Sequence, residues 1–231
     1  SLKYMKKNII NNNIKRGHTF DIFFHTWEFE NLNKNELIDN FNPIKYKIDK
    51  RKKFKDEKNW TSVYSRWYSN SEVIKLKQQY EMEKDFEYDY VLLTRFDCNF
   101  FVDINFNFPN QYIYAGNWCD TTIKNQIEGL LDLWFISNSE NMNIFGKIYN
   151  YLDDYRNEYN DYGGHELCKL HFKKNNMDNK LRYILIQIDH FDLDRWTGKR
   201  SLYYHPYIYN KFKNITDFNE AITIDECLGR F

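Results

Sequence analysis

Glycine and proline are scarce in this chain, eight and three in 231 residues. No glycine falls into G-x-x-x-x-G-K-[ST] or G-x-G-x-x-G, so the common phosphate-cradling loops are excluded and any phosphate must be gripped by a metal and basic side chains. Charge of one sign is also lacking: Lys plus Arg and Asp plus Glu are 33 each. No net field therefore draws nucleic acid or an anionic membrane to the protein. The four cysteines, Cys98, Cys119, Cys168 and Cys227, show neither C-x-x-C spacing nor the density of a disulfide scaffold, and with the six histidines they make no zinc pattern. Reduced thiols in a cytosol-like compartment are the expectation. No apolar run approaches the length of a bilayer span and no signal-peptide pattern is present, so the chain reads as cytoplasmic, with no transmembrane segment and no nucleic-acid partner. Without a composition break or an internal repeat, residues 1-231 read as a single domain.

Aromatic residues, by contrast, reach 19%, with 19 Tyr and 19 Phe. The core is therefore expected to be built largely from rings. Tyr, Phe, Asn, Lys and Ile are residues of AT-rich codons, so part of this excess reflects the genome, as in a large DNA virus or a low-GC bacterium.

The pattern is organised around Tyr88-Asp89-Tyr90-Val91-Leu92-Leu93-Thr94-Arg95-Phe96-Asp97. A branched and aromatic run closed by polar residues predicts a strand buried on both faces, with Asp97 at its C-terminal end, where open α/β sheets bind ligands. Thr19 to Trp27 has the same form. Between them, Ser69 and Glu72 stand at capping-box spacing ahead of Val73, Leu76 and Tyr80, which predicts a helix from 70 to 84. Strand, helix and strand make a βαβ unit. Residues 1 to 16 predict an amphipathic helix, and 28 to 59 a solvated connection carrying the basic run Lys50-Arg51-Lys52-Lys53, with a phosphate or acidic-polymer contact as its rival reading.

Downstream, 100 to 108 reads as extended, 112 to 116 and 131 to 136 as strands, and Ser137 or Ser139 as the cap of a helix reaching 153. Gly163-Gly164 precedes a helix over 165 to 172, and Tyr183 to Ile188 is a late strand. On these residues alone Asp97 is a functional carboxylate, a helix cap or the partner of an arginine. His25 is a site residue or a hydrogen-bonded structural histidine, and His190, among Asp189, Asp192, Asp194 and Arg195, is a metal ligand or part of an ordinary polar loop. Trp67 and Tyr68 stack on a ligand or pack in the core.

In order along the chain, Phe23-Phe24-His25-Thr26-Trp27, Ser65-Arg66-Trp67-Tyr68-Ser69, the 88 to 97 run and Leu131-Asp132-Leu133-Trp134-Phe135 resemble the landmarks of a GT-A-fold glycosyltransferase family of large DNA viruses and bacterial surface-polysaccharide loci. The resemblance implies an α/β, GT-A-like, Rossmann-like fold with a mixed, mainly parallel sheet flanked by helices, and a first strand upstream of residue 1. It implies a nucleotide-sugar donor, UDP-sugar favoured, a saccharide or glycan acceptor, and Mn²⁺ or Mg²⁺. In place of the family's D-x-D this chain has Arg95-Phe96-Asp97, so the metal role passes to Asp97, with His190 as a further ligand. His25, Trp27, Arg66, Arg95 and Arg195 are then the expected donor contacts, and Asp132 and Glu166 the candidate general bases. If viral, the protein would act in the host cytoplasm. Two alternatives accompany this reading: a catalytically degenerate saccharide-binding or assembly protein on the same fold, and a metal-dependent phosphoesterase, which needs more clustered acids than Asp97 offers.

Overall fold

The computed structural model describes residues 2-30, 32-54, 60-117, 129-159, 163-194 and 206-227. Helix α1 covers residues 2-14, with a π-helical stretch at Met5–Asn11. Its buried Asn8 donates to the Phe100 carbonyl at 2.7 Å, and Asn13 donates to Ile104 O at 2.6 Å and accepts from Phe106 N at 2.9 Å. These side chains satisfy backbone groups at Phe100 and in the irregular segment that follows it, which has no ladder of its own.

Strand β1, Phe23–Trp27, is followed by helix α2, Lys34–Phe41, and strand β2, Lys45–Asp49. β1 and β2 pair in parallel with Phe23 opposite Lys45 and Trp27 opposite Asp49. The crossover unit thus lies inside 28 to 59, the segment expected to be a solvated connection. Its helix is capped by Asn33, whose side chain accepts from Glu36 N, and closed by Asn42 in the left-handed conformation, φ 44°.

The long helix α3, Trp60–Lys84, begins ten residues earlier than the capping-box spacing indicated. Ser69 is interior to it and returns its hydroxyl to Ser65 O at 3.0 Å, a bond to the preceding turn and not a cap. At its far end a buried network fixes the entry to the next strand. Lys77 donates to Glu81 at 2.6 Å, Ser139 Oγ donates to Glu81 at 2.6 Å, and Tyr88 N donates to the same carboxylate at 3.0 Å.

Strand β3, Val91–Thr94, leads through a turn to β4, Cys98–Phe100, so Arg95, Phe96 and Asp97 occupy the turn and not the end of the strand. β5 is Ile113–Asn117, β6 Trp134–Ser137, β7 Leu181–Ile186 and β8 Phe191–Leu193. Of the segment expected to be extended over 100 to 108, only Phe100 is in a strand. The four-stranded sheet runs β3-β6-β5-β7, with β3–β6 and β5–β6 antiparallel and β5–β7 parallel; β4 and β8 form a separate antiparallel pair.

The fold is a mixed α/β domain, but the expectation of a mainly parallel sheet is corrected: antiparallel pairings outnumber parallel ones among the described residues. β6 is the reason, because it runs against both of its neighbours. Helix α4, Ser139–Phe145, is capped by Asn138, not by Ser137 or Ser139. It continues through the 3-10 segment Gly146–Tyr151 into α5, Leu152–Glu158. Helix α6 is Gly164–Lys174 and α7 Pro206–Phe212.

The core is aromatic, as composition indicated. Phe145 stacks on Phe172 with ring centroids 4.7 Å apart and 13° between planes, and meets Phe135 and Trp67 at 4.7 and 5.6 Å. On the other side of the sheet Trp134 packs against Phe100 and Phe191. Trp67 is therefore a core residue.

Candidate active site

Two polar clusters meet at the end of a large cavity, one built on β1 and β2, the other on the turn after β3. Residues His25, Trp27, Lys52, Arg66, Arg95 and Asp97 all line this cavity. The first turns of α3 lie between the clusters and serve both, Tyr68 on one side and Arg66 on the other.

In the first cluster, Asp49 at the end of β2 accepts from Tyr68 OH at 2.7 Å and lies 3.3 Å from His25 Nε2 and 3.1 Å from Lys47 Nζ. Lys52 donates to Tyr68 OH at 2.6 Å and also lies over its ring, 3.9 Å from the centroid. Trp27 stacks on Tyr68 at 5.2 Å and 23°. Burial lowers the His25 pKa and the Asp49 contact only partly opposes it, so the imidazole is neutral near pH 7. Its Nε2 faces the carboxylate, while the buried Nδ1 has no partner among the described residues. Lys47 also pairs with Glu72, whose hydrogen bond is the main cause of its raised pKa.

In the second cluster, Arg95 holds Asp97 through Nε to Oδ1 at 2.7 Å and Nη2 to Oδ2 at 2.9 Å. Burial works against the Arg95 charge, but the bond to Asp97 and the negative charges of Asp97 and Asp132 together overcome it and raise the pKa. Arg66 donates from Nη2 to the backbone oxygen of Asp132 at 2.6 Å. Its buried Nε has no partner among the described residues. Burial disfavours the Arg66 charge and Arg95 does too, whereas Asp132 and Asp97 support it. The arrangement is two guanidinium groups and two carboxylates in mutual electrostatic contact.

Asp132 lies in the turn before β6, not within the strand. Its Oδ1 is 3.5 Å from His165 Nδ1, which donates to Leu130 O at 2.8 Å. A Cβ on Gly164 would be 4.0 Å from Asp132 Oδ2, so the carboxylate sits against the N-terminus of α6, where the helix dipole favours a negative charge. Glu166 accepts from Gly163 N at 3.0 Å and closes the same helix end.

The remaining expected residues fall elsewhere. His190 is 4% exposed; its Nδ1 accepts from Ile186 N at 3.0 Å and Nε2 donates to Lys213 O at 3.1 Å. Both ring nitrogens are thus committed to backbone, and the metal-ligand expectation for His190 is corrected to a structural one. Arg195 lies outside the described residues. Among the described residues no three His, Cys, Asp or Glu side chains converge as a cation site. Asp97 supplies the hard oxygen that Mn²⁺ or Mg²⁺ favours, but Arg95 takes both of its oxygens, so the residues present do not by themselves make a divalent-cation centre.

Sequence reasoning missed Asp49, Lys47 and His165. The signal for the first two was the alternation Lys45-Tyr46-Lys47-Ile48-Asp49, which reads as a strand once lysine stems are counted as apolar cover.

No family model and no curated protein matches this chain. Among solved structures, it is similar to a glycosyltransferase involved in the glycosylation of the major capsid of PBCV-1. The identity is 9%, the TM-score 0.40, and the match covers 79% of this chain and 95% of that one. A likeness of that size carries no information on activity.

Proposed function

We propose that the protein is a glycosyltransferase that moves a sugar from a nucleotide-sugar donor, UDP-sugar favoured, to a saccharide acceptor. The ordered motif set suggested this reading, and one observation carries it furthest: Arg66, Arg95 and Lys52 line one cavity with the neutral His25 and with Trp27, whose ring stacks on Tyr68. Fixed cations beside an aromatic platform suit a nucleoside diphosphate, whose phosphates need charge and whose base offers a π-face.

In this reading the chain's own residues do the following. Arg95 and Arg66 stabilise the negative charge that grows on the diphosphate as the glycosidic bond breaks, and they are held in place beforehand by Asp97 and the Asp132 carbonyl. Trp27 offers a ring beside the charged groups. Asp132 takes the proton of the acceptor hydroxyl, with His165 and the α6 N-terminus fixing its position. Glu166 keeps the helix end closed. No step runs through a metal. A cation at Asp97 would draw one oxygen from the protein and the rest of its shell from diphosphate and water, and it would have to displace an Arg95 contact.

The test is a thermal-shift series with UDP, GDP, dTDP and CMP, each with and without Mn²⁺. A nucleotide at one hundred times its Kd should stabilise by about 2.7 kcal/mol, which raises the midpoint by roughly 5 to 11 °C in a chain of this size. UDP is expected to give that shift and Arg66→Ala to remove it. If no nucleotide moves the midpoint with or without Mn²⁺, the transferase reading is lost.

A further inference from the structure

Four consecutive cations, Lys50-Arg51-Lys52-Lys53, leave the end of β2 in a chain that has as many negative charges as positive ones. A charge run is ordinarily a solvated segment that hydration keeps clear of the protein. This one is held down, although it has no regular secondary structure. Lys52 donates to Tyr68 OH at 2.6 Å and covers its ring. Phe54, just after the run, meets Trp27, Tyr64 and Tyr149, with ring centroids 5.9, 6.0 and 6.5 Å away. Segment 50-54 is thus pinned at the cavity rim: Arg51, Lys52 and Phe54 line the same cavity as Arg66 and Arg95, while all four cations of the run are exposed.

Little of the run's charge is neutralised by the described residues. Around this end of the sheet, Asp49 is met by Lys47, Glu72 by Lys47 and Lys75, and Glu28 by Lys34, all cations from outside the run. Lys50 is a lesser electrostatic contact of Glu28 than Lys34 is. Arg51 and Lys53 make no ion pair among the described residues. The second cluster differs: its guanidinium groups, Arg66 and Arg95, face Asp97 and Asp132, and none of those four residues is exposed.

Exposed cations hold one small anion weakly, because water and salt screen each contact. A ligand that draws on three or four of them must present negative charges repeatedly along its length. A donor diphosphate has no need of them, since its charge is compact and Arg66 and Arg95 are already fixed for it. Protection of the sheet edge does not explain the run either. Lysines that blunt an edge project from the edge strand itself, as Lys45 and Lys47 do, and the run lies beyond β2.

We propose that the acceptor is an acidic glycan, a chain with a negative group on successive sugars, and that Lys50, Arg51 and Lys53 hold it along the cavity rim. Calling the ligand an acceptor rests on the transferase reading; the repeated negative charge follows from the run itself. Because the rim and the donor groups border one cavity, a chain held there has its terminal sugar beside the donor. Carboxylate-bearing and sulfate-bearing chains share the required chemistry, and the experiment separates them.

The experiment is titration calorimetry with hexagalacturonate, a heparin hexasaccharide, neutral maltohexaose and a single-stranded DNA of equal charge, beside the thermal shift with UDP. At least one acidic hexasaccharide should bind, and the tighter one identifies the negative group. Its affinity should fall roughly tenfold between about 50 and 200 mM salt. Arg51→Gln combined with Lys53→Gln should weaken it by about fivefold or more, and should leave the UDP shift and the urea midpoint unchanged because both side chains are exposed. The proposal is overturned if maltohexaose binds as well as the acidic chains, if DNA binds as tightly or more tightly, or if the double variant loses nothing. It is also overturned if the UDP shift falls in that variant, which would make the run part of the donor site. Acidic-chain binding without any UDP shift would remove the transferase reading and leave an acidic-glycan site; a UDP shift without acidic-chain binding would do the reverse.

Discussion

Arg95 spans both oxygens of Asp97, two residues away in the same turn, as a planar fork on a carboxylate. The acid thereby orients a guanidinium at the cavity wall, and the cation of the pair is the group a diphosphate would meet. Arg95→Ala should lower kcat/KM for the donor by roughly a hundredfold or more, the scale of removing one preorganised charge-stabilising donor. Arg95→Lys should recover little of it, since an ammonium cannot reproduce the fork. Asp97→Asn keeps the turn and should cost less than Arg95→Ala. A Mn²⁺ requirement that Asp97→Asn abolishes would instead place a cation at Asp97.

Asp132 and Glu166 separate by role. Asp132→Asn should reduce transfer by about a hundredfold or more, with donor affinity by thermal shift unchanged, as expected of a residue that takes a proton from the acceptor. Glu166→Gln keeps an acceptor for Gly163 N and should leave turnover near wild type, lowering stability by only about 0.3 to 1 kcal/mol, the scale of a charge at a helix N-terminus. Steady-state kinetics and urea unfolding of the two variants check this, and the opposite pattern would move the base to Glu166.

Gly146 marks where the 3-10 segment crosses α3. A Cβ there would lie 2.7 Å from Ile74 Cγ2 and 2.8 Å from Ile74 Cβ, against a side chain that is 3% exposed. Gly146→Ala should destabilise by about 1 to 3 kcal/mol, as overpacking does. Combined with Ile74→Ala it should cost less than the two single changes added together, because the second removes the atoms the first collides with. Urea midpoints of the three variants give the coupling energy.

Much of the fold was readable from period and punctuation. β1, β3, β5, β6 and β7 and the helix after Gly163-Gly164 lie where apolar runs and breakers put them. What was not readable came from residues whose role is set by distant partners. β2 alternates charged Lys45, Lys47 and Asp49 with Tyr46 and Ile48, a strand period hidden by its charge, and the service of Lys47 and Asp49 to Glu72, Tyr68 and His25 is set by those distant partners. Ser69 and Glu72 imitate a helix start, but both sit within α3 and bond to its own turns or to β2. The antiparallel course of β6 depends on a connection, not on the strand's composition. For the site, Asp97 could be singled out as an acid closing an apolar run, whereas Arg66 came only from the resemblance. That Arg95 would hold the Asp97 carboxylate, and that His190 would give both nitrogens to backbone, depended on geometry no spacing encodes.

His171 offers a test of stability against pH. It is fully buried on α6; Nδ1 accepts from Tyr155 OH at 2.9 Å and Nε2 donates to Ile144 O at 3.1 Å. Burial lowers its pKa from 6.5 to about 4, with the Ile144 bond opposing. Above pH 6.5 the imidazole is neutral both folded and unfolded and adds no pH dependence. As pH falls below 6.5 the unfolded chain takes up a proton that the folded one refuses, so stability declines and levels off near pH 4. The full difference corresponds to about 3 kcal/mol. His25 and His190, also lowered by burial, act in the same direction. His171→Gln can keep a donor for Ile144 O and an acceptor for Tyr155 without the proton uptake. Urea unfolding between pH 4 and 7 should show a smaller acid slope in this variant than in wild type, with the remaining slope carried by the other two histidines and by acids such as Asp49. An unchanged slope would mean that His171 does not resist protonation in the folded protein.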